Sequence, residues 1–256
     1  MARFRDRVAI VTGAGAPGGI GMAVARALVE EGARVVLGAT SERVHERATE
    51  LRDSAVGVVA DLTVDGAADS LVHAALDRWG RVDVLVNNAG MTSVSFGWDA
   101  DDDVAETSLA DWNAALARNL TTAFLVCRSV VPVMTAAGYG RIVSIGSTTG
   151  TINAMPGQST YTAAKAGLVG LSQALALEVV GAGVTVNVVA PGYIATESVL
   201  EFEAAAAAAG PIGRSGTPAE IAACVLFLAH ESASFVTGTV LVADGGHGLP
   251  ETWPRP

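Results

Sequence analysis

Seven short apolar runs, separated by longer stretches with helical periodicity, leave this chain few folds to adopt. The runs are Val8–Val11, Arg34–Leu37, Val56–Ala60, Val82–Asn87, Arg141–Ile145, Val184–Ala190 and Thr239–Val242. They are nearly continuous in Val, Ile, Leu and Ala rather than alternating, the pattern of strands covered on both faces. Between the first two, Ile20, Ala23, Val24, Ala27 and Leu28 recur at helical spacing, and Gly32 stands where a helix should stop. Such alternation predicts an α/β domain with a seven-stranded parallel sheet flanked by helices on both sides. The 256 residues suit a single doubly wound domain over 1–256, with its core at 8–248, and no linker or repeat marks a second.

Hydrophobic residues make up 50% of the chain, which excludes global disorder. The net charge of -10 disfavours nucleic-acid binding, because an acidic surface repels phosphate backbones. Cys127 and Cys224 are too few for a disulfide framework or a zinc site and read as buried small hydrophobes. His45, His73, His230 and His247 are scattered, so no metal centre is expected. Apolar runs are broken well before the ~18–20 residues of a membrane span, and the start MARFRDRVAIVTG lacks the apolar stretch of a secretion signal. A cytoplasmic protein without membrane or nucleic-acid partners is the expectation.

Two segments depart from the rhythm. Val94–Glu106 holds acids and aromatics and predicts a solvated surface excursion. Glu201–Gly210 is Ala-rich, with high helix propensity and little to pack against.

The first strand passes into the first helix through TGAGAPGGIG at 12–21. Glycines there permit a tight turn and close approach of a pyrophosphate, which the helix N-terminus then stabilises. Gly13, Gly15 and Gly18 match G-x-G-x-x-G, and the position between a strand and an amphipathic helix gives the match its weight. After the second strand an acid would accept the ribose 2'-hydroxyl of NAD. Here the chain reads Gly38-Ala39-Thr40-Ser41-Glu42-Arg43, with no acid at the strand end. Thr40 and Ser41 can donate hydrogen bonds and Arg43 can supply charge, which favours NADP(H) over the alternative NAD(H). Helix capping is an equal reading for the two hydroxyls.

Tyr161 and Lys165 are one helical turn apart in STYTAAKAGLVGLSQALALE. An isolated tyrosine titrates near ~10 and shuttles protons poorly at neutrality. A neighbouring ammonium favours phenolate and should draw that value down.

With these residues in hand, the chain resembles the short-chain dehydrogenase/reductase superfamily from Val8 to Gly248. The matching pieces are TGAGAPGGIG at 12–21, the acid of ADL at Asp61, NNAG at 87–90, Asn119 in RNL, Ser147 in SIGST, YTAAK at 161–165, PGYIAT at 191–196 and VADGG at 242–246. Within it, ATSE at 39–42, VTVNVVAPGYIAT and PIGRSGTPAEIA are most similar to the 3-oxoacyl-[acyl-carrier-protein] reductases. The resemblance implies a Rossmann fold and an NADP(H)-dependent ketone reductase, with a 3-oxoacyl thioester as leading substrate. Another ketoreductase or alcohol dehydrogenase of the superfamily is the first alternative. A non-enzymatic cofactor sensor is the second, disfavoured by the intact Ser, Tyr and Lys.

By the same resemblance Tyr161 would exchange the proton, Lys165 would lower its pKa and hold the nicotinamide ribose, and Ser147 would meet the substrate oxygen. Asn119 would continue the proton relay. Gly13, Gly15, Gly19, Ile20 and Gly21 would hold the pyrophosphate, and Asp61 with Leu62 the adenine. Asn88, Ala89 and Gly90 would line the pocket by backbone. Pro191, Gly192, Ile194 and Thr196 would face the nicotinamide. Local alternatives stand beside these: Asn88 as a turn residue, Asp61 as a cap before Thr63, Asn119 as a surface helix residue, and Thr148 or Thr149 in place of Ser147. Three departures from the family pattern stand out. Ala16-Pro17 lengthens the glycine loop, Ser147 lies one residue further from Tyr161 than in many members, and only 14 residues separate Thr196 from Pro211. The last predicts a short lid and a site tolerant of varied ketones. An acidic carrier protein would need a local basic patch, to which Arg128 and Arg214 are candidate contributors. The helices around Leu109–Ala137 and Thr160–Val180 carry surplus apolar surface, which predicts a homo-oligomer, a tetramer by the resemblance.

Overall fold

The computed structural model describes residues 2–90 and 103–249. Most of the acidic excursion at 94–106 therefore lies outside the described residues. Seven strands form one parallel sheet: β1 (Val8–Thr12), β2 (Arg34–Ala39), β3 (Ala55–Val59), β4 (Val84–Asn87), β5 (Gly140–Ile145), β6 (Val184–Pro191) and β7 (Val240–Ala243), in the order β3-β2-β1-β4-β5-β6-β7. The strand ends differ from the sequence reading by one or two residues. At β4, for example, Val82 and Asp83 precede the strand, the Asp83 amide donating to the Val8 carbonyl at the sheet's lower edge.

The helices are α1 (Ile20–Glu30), α2 (Arg43–Glu50), α3 (Asp69–Trp79), α4 (Leu109–Leu116), α5 (Thr122–Ala137), α6 (Ser159–Val179), α7 (Glu201–Ala209) and α8 (Pro218–Ala229). A π turn at Ala117–Thr121 joins α4 to α5. Side chains of a strand alternate between faces, and β1 does so here. Ala9 and Val11 pack with Met22 and Leu28 of α1 and Ile221 and Leu228 of α8. Val8 and Ile10 pack with Leu71 of α3, Val130 and Met134 of α5 and Val179 of α6. Both sides are covered, which is why the strands read as unbroken apolar runs.

Segments Leu109–Ala137 and Ser159–Ala182 are long and apolar enough to cross a bilayer by length and composition, but each lays one face on this sheet. Leu109, Phe124, Leu177 and Val180 remain exposed on them, Leu177 at 82%. Phe227, in α8, and Phe235, after it, are exposed as well. The Ala-rich segment is helical over Glu201–Ala209 and buries only Ala207.

The chain adds β2 and β3 on one side of β1 and β4 to β7 on the other, so the winding reverses between β1 and β4 and the loops at their C-terminal ends part there. A crevice opens at such a switch point. The turns after β1, β4, β5 and β6 all lead into it.

Candidate active site

The glycine loop is tied down from the neighbouring strand. Thr12, buried at the end of β1, accepts the amide hydrogens of Asn88 and Ala89 on its hydroxyl at 3.0 and 2.9 Å. Asn88 Nδ2 donates in turn to the Thr12 and Gly13 carbonyls, both at 3.0 Å. Asn88 is therefore more than a turn residue: its side chain fixes the loop that opens α1. Gly13 has a φ of +68°, and a Cβ there would stand 2.9 Å from the Ala89 backbone. At Gly21 a Cβ would meet the Gly13 carbonyl at 2.7 Å. Loop and helix thus approach as closely as backbone allows.

Gly19 is the N-cap of α1 and Ile20 its first residue, so the first-turn amides have no carbonyl partner within the helix. Gly15 packs under Ala39, and Gly18, just after the inserted Ala16-Pro17, donates its amide to Glu197 Oε1 at 3.0 Å.

At the end of β2, Thr40 is exposed and Ser41 half-buried. Neither caps α2, whose N-cap is Glu42. Arg43 Nε instead donates to Ser41 Oγ at 3.4 Å, so a cation and two hydroxyls gather there. Glu42 is turned to His45, 3.3 Å from its Nε2. Asp61 follows β3 and uses one carboxylate oxygen on Thr63, accepting from its amide at 3.0 Å and its hydroxyl at 2.6 Å. Those two bonds hold its carboxyl below the usual carboxylate range. The capping reading of Asp61 is realised; Leu62 beside it is buried.

Ser147, Tyr161 and Lys165 line one cleft with Ile20, Asn88, Gly90, Pro191, Gly192, Ile194 and Thr196. Strand β5 carries Ser147 just past its end, and α6 presents Tyr161 and Lys165 one turn apart. Ser147 Oγ accepts from the Thr149 amide at 3.1 Å. Its neighbour Thr148 is buried, and neither it nor Thr149 lines the cleft. Lys165 is the only lysine in the chain, a signal the sequence offers directly. Its Nζ donates to the Ile145 carbonyl at 2.9 Å and lies 5.5 Å from the Tyr161 ring centroid. Burial pushes the Lys165 ammonium down to about 8.

Tyr161 departs from expectation. Burial dominates and raises its pKa, the Ser147 hydroxyl pulls it back, and the charge of Glu203 raises it further. The Lys165 ammonium is itself destabilised by burial and donates to the Ile145 carbonyl. Asn119 sits in the π turn, buried, with Nδ2 donating to the Ala115 carbonyl at 3.2 Å. It is a core position rather than a surface one. Such turns inside helices recur at functional sites.

Thr12, Glu203 and Ser198 are among the contributors that sequence reasoning left out of the site. Thr12 was visible as the first residue of the glycine motif. Glu203 and Ser198 reach the cleft from the segment after β6, and nothing in the local pattern marks them. The suggested basic patch is not free: Arg128 pairs with Asp65, and Arg214 with Glu220 at 2.7 Å.

The arrangement suits a dinucleotide. A close-packed glycine turn, a helix N-terminus with unpartnered amides and a cleft holding Ser147, Tyr161 and the Lys165 ammonium lie at the C-terminal ends of the strands. An oxygen reaching Ser147 and Tyr161 together would meet two hydrogen-bond donors, which suits a carbonyl or an alcohol.

Comparison with known proteins agrees. A family model described as enoyl-(acyl carrier protein) reductase, within the short-chain dehydrogenase/reductases, matches residues 13–248. The 3-oxoacyl-[acyl-carrier-protein] reductase FabG of Salmonella typhimurium is 39% identical over 248 residues, covering 95% of this chain and 98% of the relative. A cis-4-hydroxycyclohexanecarboxylate dehydrogenase of Sinomonas cyclohexanicum is 38% identical, covering 95% and 97%. A crystal structure from Agrobacterium tumefaciens assigned as a gluconate dehydrogenase superposes with a TM-score of 0.87 at 33% identity, covering 97% of this chain and 98% of that one. The chain belongs to the short-chain dehydrogenase/reductase family and is an oxidoreductase acting on CH–OH groups with a nicotinamide cofactor.

Proposed function

We propose that this protein is an NADP(H)-dependent ketoreductase whose physiological substrate is a neutral 3-oxoacyl thioester of small size. The observation that carries the reading is the convergence of Ser147, Tyr161 and Lys165 on one cleft walled by the opening of α1. Gly13, Gly15, Gly19, Ile20 and Gly21 hold the pyrophosphate. Thr40 and Ser41, with Arg43, receive the 2'-phosphate. Asp61 and Leu62 meet the adenine, and Asn88, Ala89 and Gly90 line the sugar side. Pro191, Gly192, Ile194 and Thr196 face the nicotinamide, which when bound supplies or accepts the hydride.

Tyr161 donates its phenolic proton to the alkoxide that develops at the substrate carbonyl and takes it back in alcohol oxidation. Its raised pKa keeps the proton on the phenol at neutral pH, so delivery awaits the negative charge that develops on the carbonyl oxygen. Ser147 donates a second hydrogen bond to the same oxygen and stabilises the charge as it forms. Lys165, which lies beside Tyr161 at the end of β5, would hold the nicotinamide ribose and resupply the phenol's proton, with Asn119 extending the relay.

A carrier-protein substrate is disfavoured. The net charge is -10, and the two candidate docking cations are already neutralised by Asp65 and Glu220. The hydroxy-carboxylate substrates named for two relatives supply the second reading. We further propose a single-domain, cytoplasmic protein that assembles as a homotetramer, the assembly supported by the exposed apolar side chains of Leu177 and Phe235.

The deciding experiment compares kcat/KM, at saturating NADPH, for acetoacetyl-N-acetylcysteamine, cyclohexanone and 4-oxocyclohexanecarboxylate. Turnover of the thioester at least matching the other two is expected. An inert thioester beside a rapid cyclic ketone would overturn the acyl reading and leave a general ketoreductase.

A further inference from the structure

One acid in the cleft has no part in the chemistry described above. Glu203 lies at the third position of α7 and lines the same cavity as Ser147, Tyr161, Tyr193 and Ser198. Its Oε2 accepts the Leu200 amide at 2.9 Å, which holds the carboxylate at the start of the helix instead of letting it swing into solvent. Negative charge is favoured at that end of a helix. Among the described residues it makes no ion pair. Among the described residues lining the cavity the one cation is Lys165, and it is engaged on the Ile145 carbonyl. His247 stands edge-on to Tyr193 with ring centroids 5.0 Å apart. The charge is felt across the cavity, since it helps hold the phenols of both Tyr161 and Tyr193 above their ordinary range.

Resting on the ketoreductase reading, we infer that Glu203 is a specificity-determining residue: its carboxylate makes the cleft select ketones that are neutral beside the reacting carbonyl over ketones that carry a carboxylate there. Like charges confined in a partly desolvated cleft repel, and rejection of this kind separates substrates as effectively as attraction. A thioester, amide or ester next to the carbonyl brings no charge, and an N–H or O–H there can donate to Glu203. A free carboxylate must approach an anion that is anchored and has no paired cation.

The simplest competing role for Glu203 is that of a helix cap. Glu203→Gln separates the two, because a glutamine at this position also accepts the N-cap amide while removing the charge. Acetoacetamide and acetoacetate form the probe pair, equal in size and differing in charge. Their kcat/KM values are measured with NADPH at saturation, in wild type and E203Q, at pH 7.5. Wild type is expected to favour the amide by at least about tenfold, and E203Q to lower that ratio by about fivefold or more. Intrinsic reactivity of the two ketones cancels between the proteins, so the change in ratio reads the charge alone. An unchanged ratio overturns the inference and leaves Glu203 as a cap. Should E203Q be insoluble, a wild type that prefers the acid overturns it equally. A wild type that reduces neither these ketones nor the thioester overturns the ketoreductase reading itself.

Discussion

Lys165 Nζ donates to the Ile145 carbonyl at 2.9 Å, tying the catalytic face of α6 to the last residue of β5. The bond locates the chain's single lysine where water is excluded, and burial then lowers its pKa from 10.5 to about 8. An amine that titrates close to neutrality can pass protons, whereas an ordinary surface lysine stays charged.

That value is directly measurable. Protein labelled with ε-13C lysine should give one side-chain resonance titrating near pH 8. Stability carries the same signature. Between the folded value near 8 and the unfolded value of 10.5, the unfolded chain binds more protons, so this residue's penalty is relieved as pH rises. Wild type should therefore gain about 2 kcal/mol relative to Lys165→Met between pH 8 and 10, read by urea unfolding. A constant difference across that range would refute the buried-ammonium account.

Tyr161→Phe removes the transferable proton and leaves the ring to pack. Reduction should slow by roughly 10²–10⁴-fold, with NADPH affinity and melting temperature nearly unchanged. Retention of more than about a tenth of wild-type kcat would exclude Tyr161 as the donor.

Thr12→Val strands two amide hydrogens, those of Asn88 and Ala89, in a buried place. A loss of about 2 kcal/mol or more in stability is expected, together with weaker NADPH binding. Thr12→Ser keeps the hydroxyl and should restore most of both. Equal behaviour of the two variants would show that the hydroxyl is not what matters.

Ala39→Asp introduces the charge that the end of β2 lacks. NADPH affinity should fall by about tenfold or more and NADH affinity should rise, followed by fluorescence titration. Tighter NADH than NADPH binding by the unmodified protein would contradict the proposed cofactor.

Leu177 and Phe235 expose 82% and 102% of their surface on the single chain. Light scattering at micromolar concentration should give a tetramer, and Leu177→Arg or Phe235→Arg should reduce the mass. A monomeric wild type would leave those exposed faces without an explanation.

Much of this was legible in the residues because the signals are local. A strand covered on both faces must be apolar at every position, so β1, β2, β5 and β6 announce themselves whatever surrounds them. Gly13 and Gly21 are demanded by backbone approaching backbone, and one helical turn places Tyr161 and Lys165 together whenever α6 forms. What the sequence could not decide depends on elements far apart in the chain. Thr12 becomes a junction only when β4 lies beside β1. Glu203 becomes part of the cleft only when α7 folds across the ends of β5 and β6. Arg128 and Arg214 look like free cations until Asp65 and Glu220 are brought against them. The direction of the Tyr161 shift turned on the same distinction. Spacing put an ammonium a turn away, but burial is a tertiary property, and the cost of desolvation is the largest influence on this phenol.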